Sequence, residues 1–401
     1  MLEIKPILNA LRRSKAGALM LLIQIAITTA IVSNAAYIIY DRIQYLQQDT
    51  GYPEDEIFSF VATTFGSDID LSQQFELDED MLRSIPGVKS ASMISEMPLS
   101  GSGSASSFNL TPENQNHRSV RAAYTAGDEH IIDALGVKLI EGRNFTFDDV
   151  IISQEMSEAP KVVIVSKAFL DEMFPDGDGL GNTIYMGSMS FQIVGVTEKM
   201  MGPWLKDRRS ENLIVMPFAN ARIYQKFIVR TEPSQRAAVM RQIEERMLSA
   251  YDKRVILRSE GMDESKANYN SSDTLMLRML IVLITVLVLI TGLGIFGLTL
   301  FNINKRTKQI GTRRALGARK SAIVRYFLVE NCIICIAGLT LGSVTAIYLG
   351  DVLLTQYSLP ALDKSYVVMT AVFVMVVSLV SVLMPAYRAS NISPSIATRS
   401  V

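Results

Sequence analysis

Four apolar runs set the organisation of this chain. Residues Ala16 to Tyr40, Met279 to Asn304, Asn331 to Gly350 and Ser365 to Tyr387 contain no Asp, Glu, Lys or Arg. Each reaches the ~20 residues that an α-helix needs to cross a hydrocarbon core of about 30 Å. The first follows Arg12, Arg13 and Lys15, as a signal peptide would. Its apolar run is longer than a signal core, however, and no small-residue cleavage site follows, so it reads as a retained span. The region between the first two spans has a different rhythm. Short β-type runs (Lys161 to Val165, Phe191 to Val196, Asn212 to Met216, Lys226 to Arg230) are separated by Gly, Pro and Asp turn signals. Helical patterns alternate with them at Glu79 to Ser84, Lys167 to Phe174 and Pro233 to Ala250. Gly101 to Ser107, rich in Gly and Ser, reads as a flexible connection. The fold expected is a polytopic α-helical membrane protein with four transmembrane helices and a large α+β extracytoplasmic domain between helices one and two.

Charge orients this arrangement. The 401 residues carry a net charge of only -1, yet residues 41 to 278 hold 36 acidic and 24 basic side chains, and the rest of the chain holds 4 and 15. Lys and Arg in short segments mark the cytoplasmic side. Lys5, Arg12, Arg13 and Lys15 precede the first span, while Lys305, Arg306, Lys308, Arg313, Arg314, Arg319, Lys320 and Arg325 follow the second with no acid among them. Both termini are therefore expected in the cytoplasm and the acidic insert outside it. Helices one and two are expected to continue past the bilayer as a stalk through Asp41 to Gln48 and Asn268 to Leu277, with Tyr37, Tyr40 and Tyr45 at the interface.

The residues offer little catalytic chemistry. The sequence has no Gly-x4-Gly-Lys-Ser/Thr nucleotide loop, and Gly101-Ser-Gly lies in a tract too flexible for a nucleophile elbow. His117 and His130 lack partners at metal-ligand spacing and read as surface residues. Cys332 and Cys335 lie inside an apolar span, where thiolates are disfavoured, and read as packing residues. Trp204 reads as a buried anchor on a turn, with an exposed partner contact as the alternative. Glu330 stands at the edge of a span, which points either to pairing with the basic loop, for instance with Arg325, or to a part in relaying motion. The most specific feature is the loop from Asn304 to Glu330. It interleaves Ile310, Ala315, Leu316 and Ala318 with its charges and places Gly311 and Gly317 between them, the pattern of a short amphipathic helix closed by a glycine at the membrane surface.

This loop resembles the Arg-x-x-Glu-Ile-Gly-Ile-Arg-Arg-Ala-Leu-Gly-Ala signature of the MacB/FtsX-like ABC transporter permeases, with Gln309 and Thr312 as departures. Phe327-Leu-Val-Glu330 and Met384-Pro-Ala-Tyr-Arg-Ala389 are similar to further family motifs, and Ser395 to Arg399 is a loose version of the family ending. Leu135 to Phe145, Phe174 to Gly181 and Ile193 to Val196 resemble the family's periplasmic core domain. The resemblance implies residues 1–48 as tail, first helix and stalk, 49–272 as the periplasmic core with an inserted lobe at about 121–215, and 273–401 as the FtsX-like part with a coupling loop at 304–320. It implies a permease that transmits ATP-driven motion to its periplasmic domain and drives export of a drug, peptide or lipoprotein-like substrate from the periplasm or outer leaflet. The alternative is an FtsX-like transmitter that transports nothing and activates an extracytoplasmic partner. Gly311, Arg313, Arg314, Ala315, Leu316 and Gly317 would dock the ATPase, with Glu330, Pro385 and Arg388 in support. The chain itself would be non-catalytic and bind no cofactor, ATP being used by a separate ATP-binding subunit. Other expected partners are a second, identical or different, permease, a periplasmic adaptor with an outer-membrane channel, and the lipid bilayer of the bacterial inner membrane. Nucleic acid is not among them.

Overall fold

The computed structural model describes residues 15–66, 69–112, 118–153, 159–357 and 362–393. Lys5, Arg12, Arg13, His117 and the Ser395 to Arg399 ending lie outside the described residues. Tertiary contacts divide the chain into two compact units: Gln48–Ser271, and a helical unit of Met1–Gln47 with Ser272–Val401.

The chain begins with helix α1 (Lys15–Leu46). The insert then runs through β1 (Ile57–Thr64), α2 (Leu71–Arg83), β2 (Val88–Met93), β3 (Ser104–Asn109), β4 (Ser119–Gly127), α3 (Ile131–Leu135), β5 (Leu139–Gly142), β6 (Ile151–Ser153), β7 (Val162–Ser166) and α4 (Lys167–Met173). It continues with β8 (Thr183–Met186), β9 (Met189–Thr197), β10 (Leu213–Asn220), β11 (Tyr224–Thr231), α5 (Arg236–Ala250), β12 (Arg254–Gly261) and α6 (Met262–Tyr269). Helices α7 (Ser271–Lys305), α8 (Thr307–Ala315), α9 (Lys320–Tyr357) and α10 (Lys364–Ser390) complete the described chain.

Two sheets build the insert. An antiparallel sheet in the order β12-β1-β11-β2 joins strands from both ends of the insert. Alternation along β1 sends Phe58, Phe60 and Ala62 to one face, where they pack with Phe75 and Leu82 of α2 and Ile243 and Met247 of α5. The second sheet runs β4-β3-β8-β9-β7-β10-β6, and β10 also pairs with β4, so six of its strands close on themselves. Closure leaves those six without a free edge and wraps Phe108, Val163, Phe191, Ile193 and Ile214 in a shared core. Local signals start the helices as their chemistry requires. Asp70 caps α2 by accepting from the Ser72 N–H at 2.9 Å, and Ser166 caps α4 by accepting from Phe169 N–H.

The second sheet is wider than the expected inserted lobe of 121–215. It takes in β3 and all of β4 and ends at Asn220. Gly101 to Ser107 is accordingly only partly a connection, because Ser104 to Asn109 pairs antiparallel with Ser119 to Tyr124. Of this strand only Phe108 enters the core; Ser104 to Ser107 carry no hydrophobic alternation, so that stretch is held by its backbone ladder and is silent in the sequence.

Charged groups from α2 and from the end of β4 meet at one point. Arg83 Nη1 donates to Glu79 at 3.4 Å and to Asp128, which follows β4, at 3.3 Å, while Nη2 donates to Asp80 at 3.0 Å. Met93 N–H also donates to Glu79, and His130 N–H to Asp128. Burial first, and then the Asp128 carboxylate beside it, push the Glu79 carboxyl well above its ordinary range, against the opposing pull of Arg83 and the Met93 amide. The fold therefore holds a proton that the unfolded chain releases. Stability contributed here is greatest below the ordinary carboxylate range and is lost as pH rises through the elevated pKa. Thermal unfolding of the full chain in detergent, read by the fluorescence of its single tryptophan, Trp204, is expected to shift to lower temperature as pH rises from 5 to 8. Glu79→Gln should flatten that slope; an unchanged slope in the variant would assign it to other groups.

Among the described residues of the helical unit, four helices are long and apolar enough to cross a membrane: Ala16–Leu46, Ser271–Lys305, Lys320–Thr355 and Lys364–Ser390. Helix α9 lies against α1 through small residues four apart, with Gly338 over Ile25 and Gly342 over Ala26 and Thr29. Polar groups in the apolar interior pair between helices. Thr28 bonds Thr291 at 2.8 Å, Asn34 donates to the Ala346 carbonyl at 3.0 Å, and Asn331 donates to Ser378 at 2.6 Å. Helix α1 continues without a break through Asp41 and Arg42 to Leu46, whereas the second long helix starts later than the expected Asn268. Asn268 and Tyr269 end α6, Asn270 caps it, and α7 begins at Ser271. Arg42 of α1 reaches Asp273 of α7 at 3.7 Å.

Candidate functional site: the basic helix and its seat

Helix α8 is short, so its ends decide its stability. Its last turn carries Arg313 and Arg314, favourable charges at a helix C-terminus. Beyond it Gly317 takes φ +91°, and the chain closes with two bonds, Gly317 N–H to Arg314 O at 3.1 Å and Ala318 N–H to Arg313 O at 3.0 Å. This is a Schellman closure, which needs a left-handed residue where Gly317 stands. A Cβ at Gly317 would meet no atom within 4 Å, so Gly317→Ala should cost only the backbone term of roughly 1–2 kcal/mol. Limited proteolysis between Arg313 and Lys320 is expected to speed up in that variant.

One side of α8 is seated and the other is open. Ile310 is buried in a cluster with Ile303, Ile323, Phe327, Ala386 and Ala389, where the ends of α7, α9 and α10 converge. Gly311 is buried beside it. The Arg313 guanidinium lies over the Tyr326 ring, 5.2 Å from its centre, and Arg314 turns back to donate to the Ala318 carbonyl at 2.9 Å. Ala315 and Leu316 face solvent, Leu316 with 82% of its surface exposed. The expected apolar face is thus divided: Ile310 anchors the helix, whereas Ala315 and Leu316 point away from the anchor.

A buried ion pair ties this helix to α9. Arg306, which precedes α8, donates through Nη1 to both Glu330 oxygens at 3.0 Å and to the Tyr326 hydroxyl at 3.3 Å. Glu330 is only 5% exposed, so its pairing is a condition of its being there. Its partner is Arg306, 24 residues away, and not the exposed Arg325. Pro385 is buried in the last turns of α10, while Arg388 is exposed three residues on and makes no ion pair among the described residues. Lys320, at the start of α9, donates to Asn391 Oδ1 just past the end of α10 at 2.6 Å. The structure therefore brings Gly311, Arg313 and Glu330 to one junction, turns Arg314 back onto its own closing turn, buries Pro385 within α10, and leaves Ala315, Leu316 and Arg388 as free surface. Arg306, Tyr326, Ile323 and Phe327 belong to the same junction. Sequence spacing singled out none of them as partners of α8, because the contacts cross between helices.

Two family models divide this chain between them. The MacB-like periplasmic core domain matches residues 17–246, more than half the chain, and the FtsX-like permease C-terminal matches residues 281–394. The chain belongs to the MacB/FtsX-like ABC transporter permeases. It is similar to an uncharacterized ABC transporter permease, YvrN, of Bacillus subtilis, at 25% identity over 68% of this chain and 68% of that protein. It is also similar to the pyoverdine export ATP-binding/permease protein PvdT of Pseudomonas syringae (26% identity, 68% of this chain, 42% of that protein). The macrolide export ATP-binding/permease protein MacB of Chromobacterium violaceum matches at 24% identity over 52% of this chain and 32% of that protein. The match thus spans about two thirds of the first relative and less than half of the other two. Among solved structures, the periplasmic region of MacB from Actinobacillus actinomycetemcomitans aligns over 57% of this chain and 98% of its own, at 15% identity and a TM-score of 0.35. Membership makes this chain a multi-pass membrane permease of a class that works with an ATP-binding subunit.

Proposed function

We propose that this chain is a permease subunit in which α8 docks a separate cytoplasmic ATP-binding subunit and passes that subunit's motion to the insert. The observation that carries the proposal is the two-sided seating of α8: Ile310 and Gly311 buried, Leu316 and the basic turn open. A loop whose only task was to mark topology would need the charges but neither the buried anchor nor the closed turn. The Arg306–Glu330 pair makes the junction stiff, so a push on α8 reaches α9 and, through its packed seam, α1. Helices α1 and α7 lead into the insert. On this reading both termini and α8 are cytoplasmic, the insert is periplasmic, and ATP hydrolysis takes place in the partner. Relatives named for macrolide and pyoverdine export support a role in export from the periplasm or outer leaflet. A second permease and a periplasmic adaptor leading to an outer-membrane channel would complete the assembly.

The test is co-purification. Wild-type chain co-expressed with its ATP-binding subunit should retain it in detergent, and a chain with Arg313→Ala, Arg314→Ala and Leu316→Ala together should release it. Retention in a folded triple variant would remove the docking role. An intact complex whose loss leaves export unchanged but silences an extracytoplasmic hydrolase would favour the signal-transmitting alternative.

A further inference from the structure

Helices α9 and α10 enclose a groove that neither the ion-pair junction nor the small-residue seam uses. Leu339, Ser343 and Ile347 line it from α9, and Val368, Ala371 and Met375 from α10, around a cavity of about 540 Å³. That volume falls in the range of small-molecule sites. Apart from the Ser343 hydroxyl and a lysine at its mouth, the lining is apolar.

The lysine is Lys364, the first residue of α10. It is exposed, and it has no ion pair or hydrogen bond among the described residues. Its neighbour Asp363 is engaged in capping the helix, accepting from Ser365 N–H at 2.9 Å. Beside this end of α10 the rings of Tyr37 and Tyr40 gather on Tyr366, with centres 5.2 and 5.6 Å away. Tyrosines gather in this way at the headgroup level of a bilayer. From Lys364 to Val376 the helix rises ~18 Å at 1.5 Å per residue, slightly more than half of a hydrocarbon core of about 30 Å. The groove is therefore one leaflet deep, with a free cation at headgroup height and an apolar slot beneath.

We propose that this groove binds a glycerophospholipid, one acyl chain lying between α9 and α10 and the phosphate resting on the Lys364 ammonium. A helix from a second copy could fill the slot but brings no anion to Lys364 by that filling alone; a phospholipid supplies both parts. Which leaflet the lipid belongs to rests on the orientation proposed above, which makes it the leaflet facing away from the cytoplasm.

Native mass spectrometry of the full chain, purified in mild detergent and incubated with phosphatidylglycerol, tests the site. Wild type is expected to retain one lipid through activation. Ala371→Trp, which fills the slot, should abolish retention, and Lys364→Gln should weaken it about fivefold. Should Ala371→Trp fail to fold, a phospholipid carrying a photoreactive group on its acyl chain should label residues 364–376 of the wild type. No retention by wild type, equal retention in both variants, or a disulfide between copies formed by Val368→Cys in native membranes would overturn the proposal. Lipid retention combined with labelling of Lys364→Cys only from the cytoplasmic side would instead overturn the orientation and leave the site standing.

Discussion

Arg306→Ala is expected to destabilise the helical unit by about 3–5 kcal/mol, because it leaves the Glu330 carboxylate buried without a counter-charge. The loss is not a measure of what the pair contributes. Removing both charges together, as Arg306→Met with Glu330→Leu, should recover most of the stability, since a well-packed apolar pair escapes the cost of desolvating two ions. The double variant separates stability from transmission. If the pair stiffens the junction between α8 and α9, the double variant folds and still binds the ATP-binding subunit, but ATP hydrolysis no longer responds to the permease. Thermal unfolding in detergent and ATP hydrolysis by the reconstituted complex read the two effects separately. Full transport by a folded double variant would reduce the pair to a structural role.

Gly342→Val should be about as damaging, by a different cause. A Cβ at Gly342 would stand 2.7 Å from the Ala26 carbonyl oxygen and 2.8 Å from Thr29 Cβ, and a backbone atom cannot swing aside as a side-chain tip can. Helices α1 and α9 must then separate, which strains the nearby bond from Asn34 to the Ala346 carbonyl. Overpacking of this kind typically costs ~1–3 kcal/mol, and the loss of a bond in an apolar interior adds to it. Gly297→Ala on α7 is the matched control, because no atom lies within 4 Å of its added Cβ; it should be neutral or slightly stabilising. Thermal unfolding of both variants beside the wild type decides the matter. Equal unfolding temperatures would mean that the α1–α9 seam is not tightly packed.

The sequence carried the helices of the membrane unit and missed their pairing, for a physical reason. Apolar length and charge asymmetry are local properties, so the four spans could be read directly from the chain. Contacts between spans rest on small residues and lone hydroxyls such as Gly342, Thr28 and Ser378, which have the composition of any apolar helix. Glu330 was conspicuous because a charge beside a span needs an explanation, but its partner Arg306 sits 24 residues away across a turn, where helical spacing has no reach. The glycine closing α8 was legible because a left-handed turn has its own residue preference, and Gly317 meets it. In the insert the strands rich in Val and Ile were legible. Ser104 to Asn109 was not, because a single apolar residue, Phe108, after a run of serines and one alanine shows neither alternation nor β-branched residues to mark a strand. The meeting of Glu79, Arg83 and Asp128 joins α2 to the end of β4 and left no trace in residue spacing.

The central claim is that the exposed tip of α8 is the contact to the ATP-binding subunit, and one crosslink tests it most directly. In a chain made cysteine-free by Cys332→Ser and Cys335→Ala, a single Leu316→Cys should crosslink to the co-expressed ATP-binding subunit in native membranes through a short thiol-reactive linker, whereas Phe147→Cys on the exposed surface of the insert should not. A Leu316→Cys chain that assembles with the subunit yet never crosslinks to it, or a Phe147→Cys chain that does, would contradict the account.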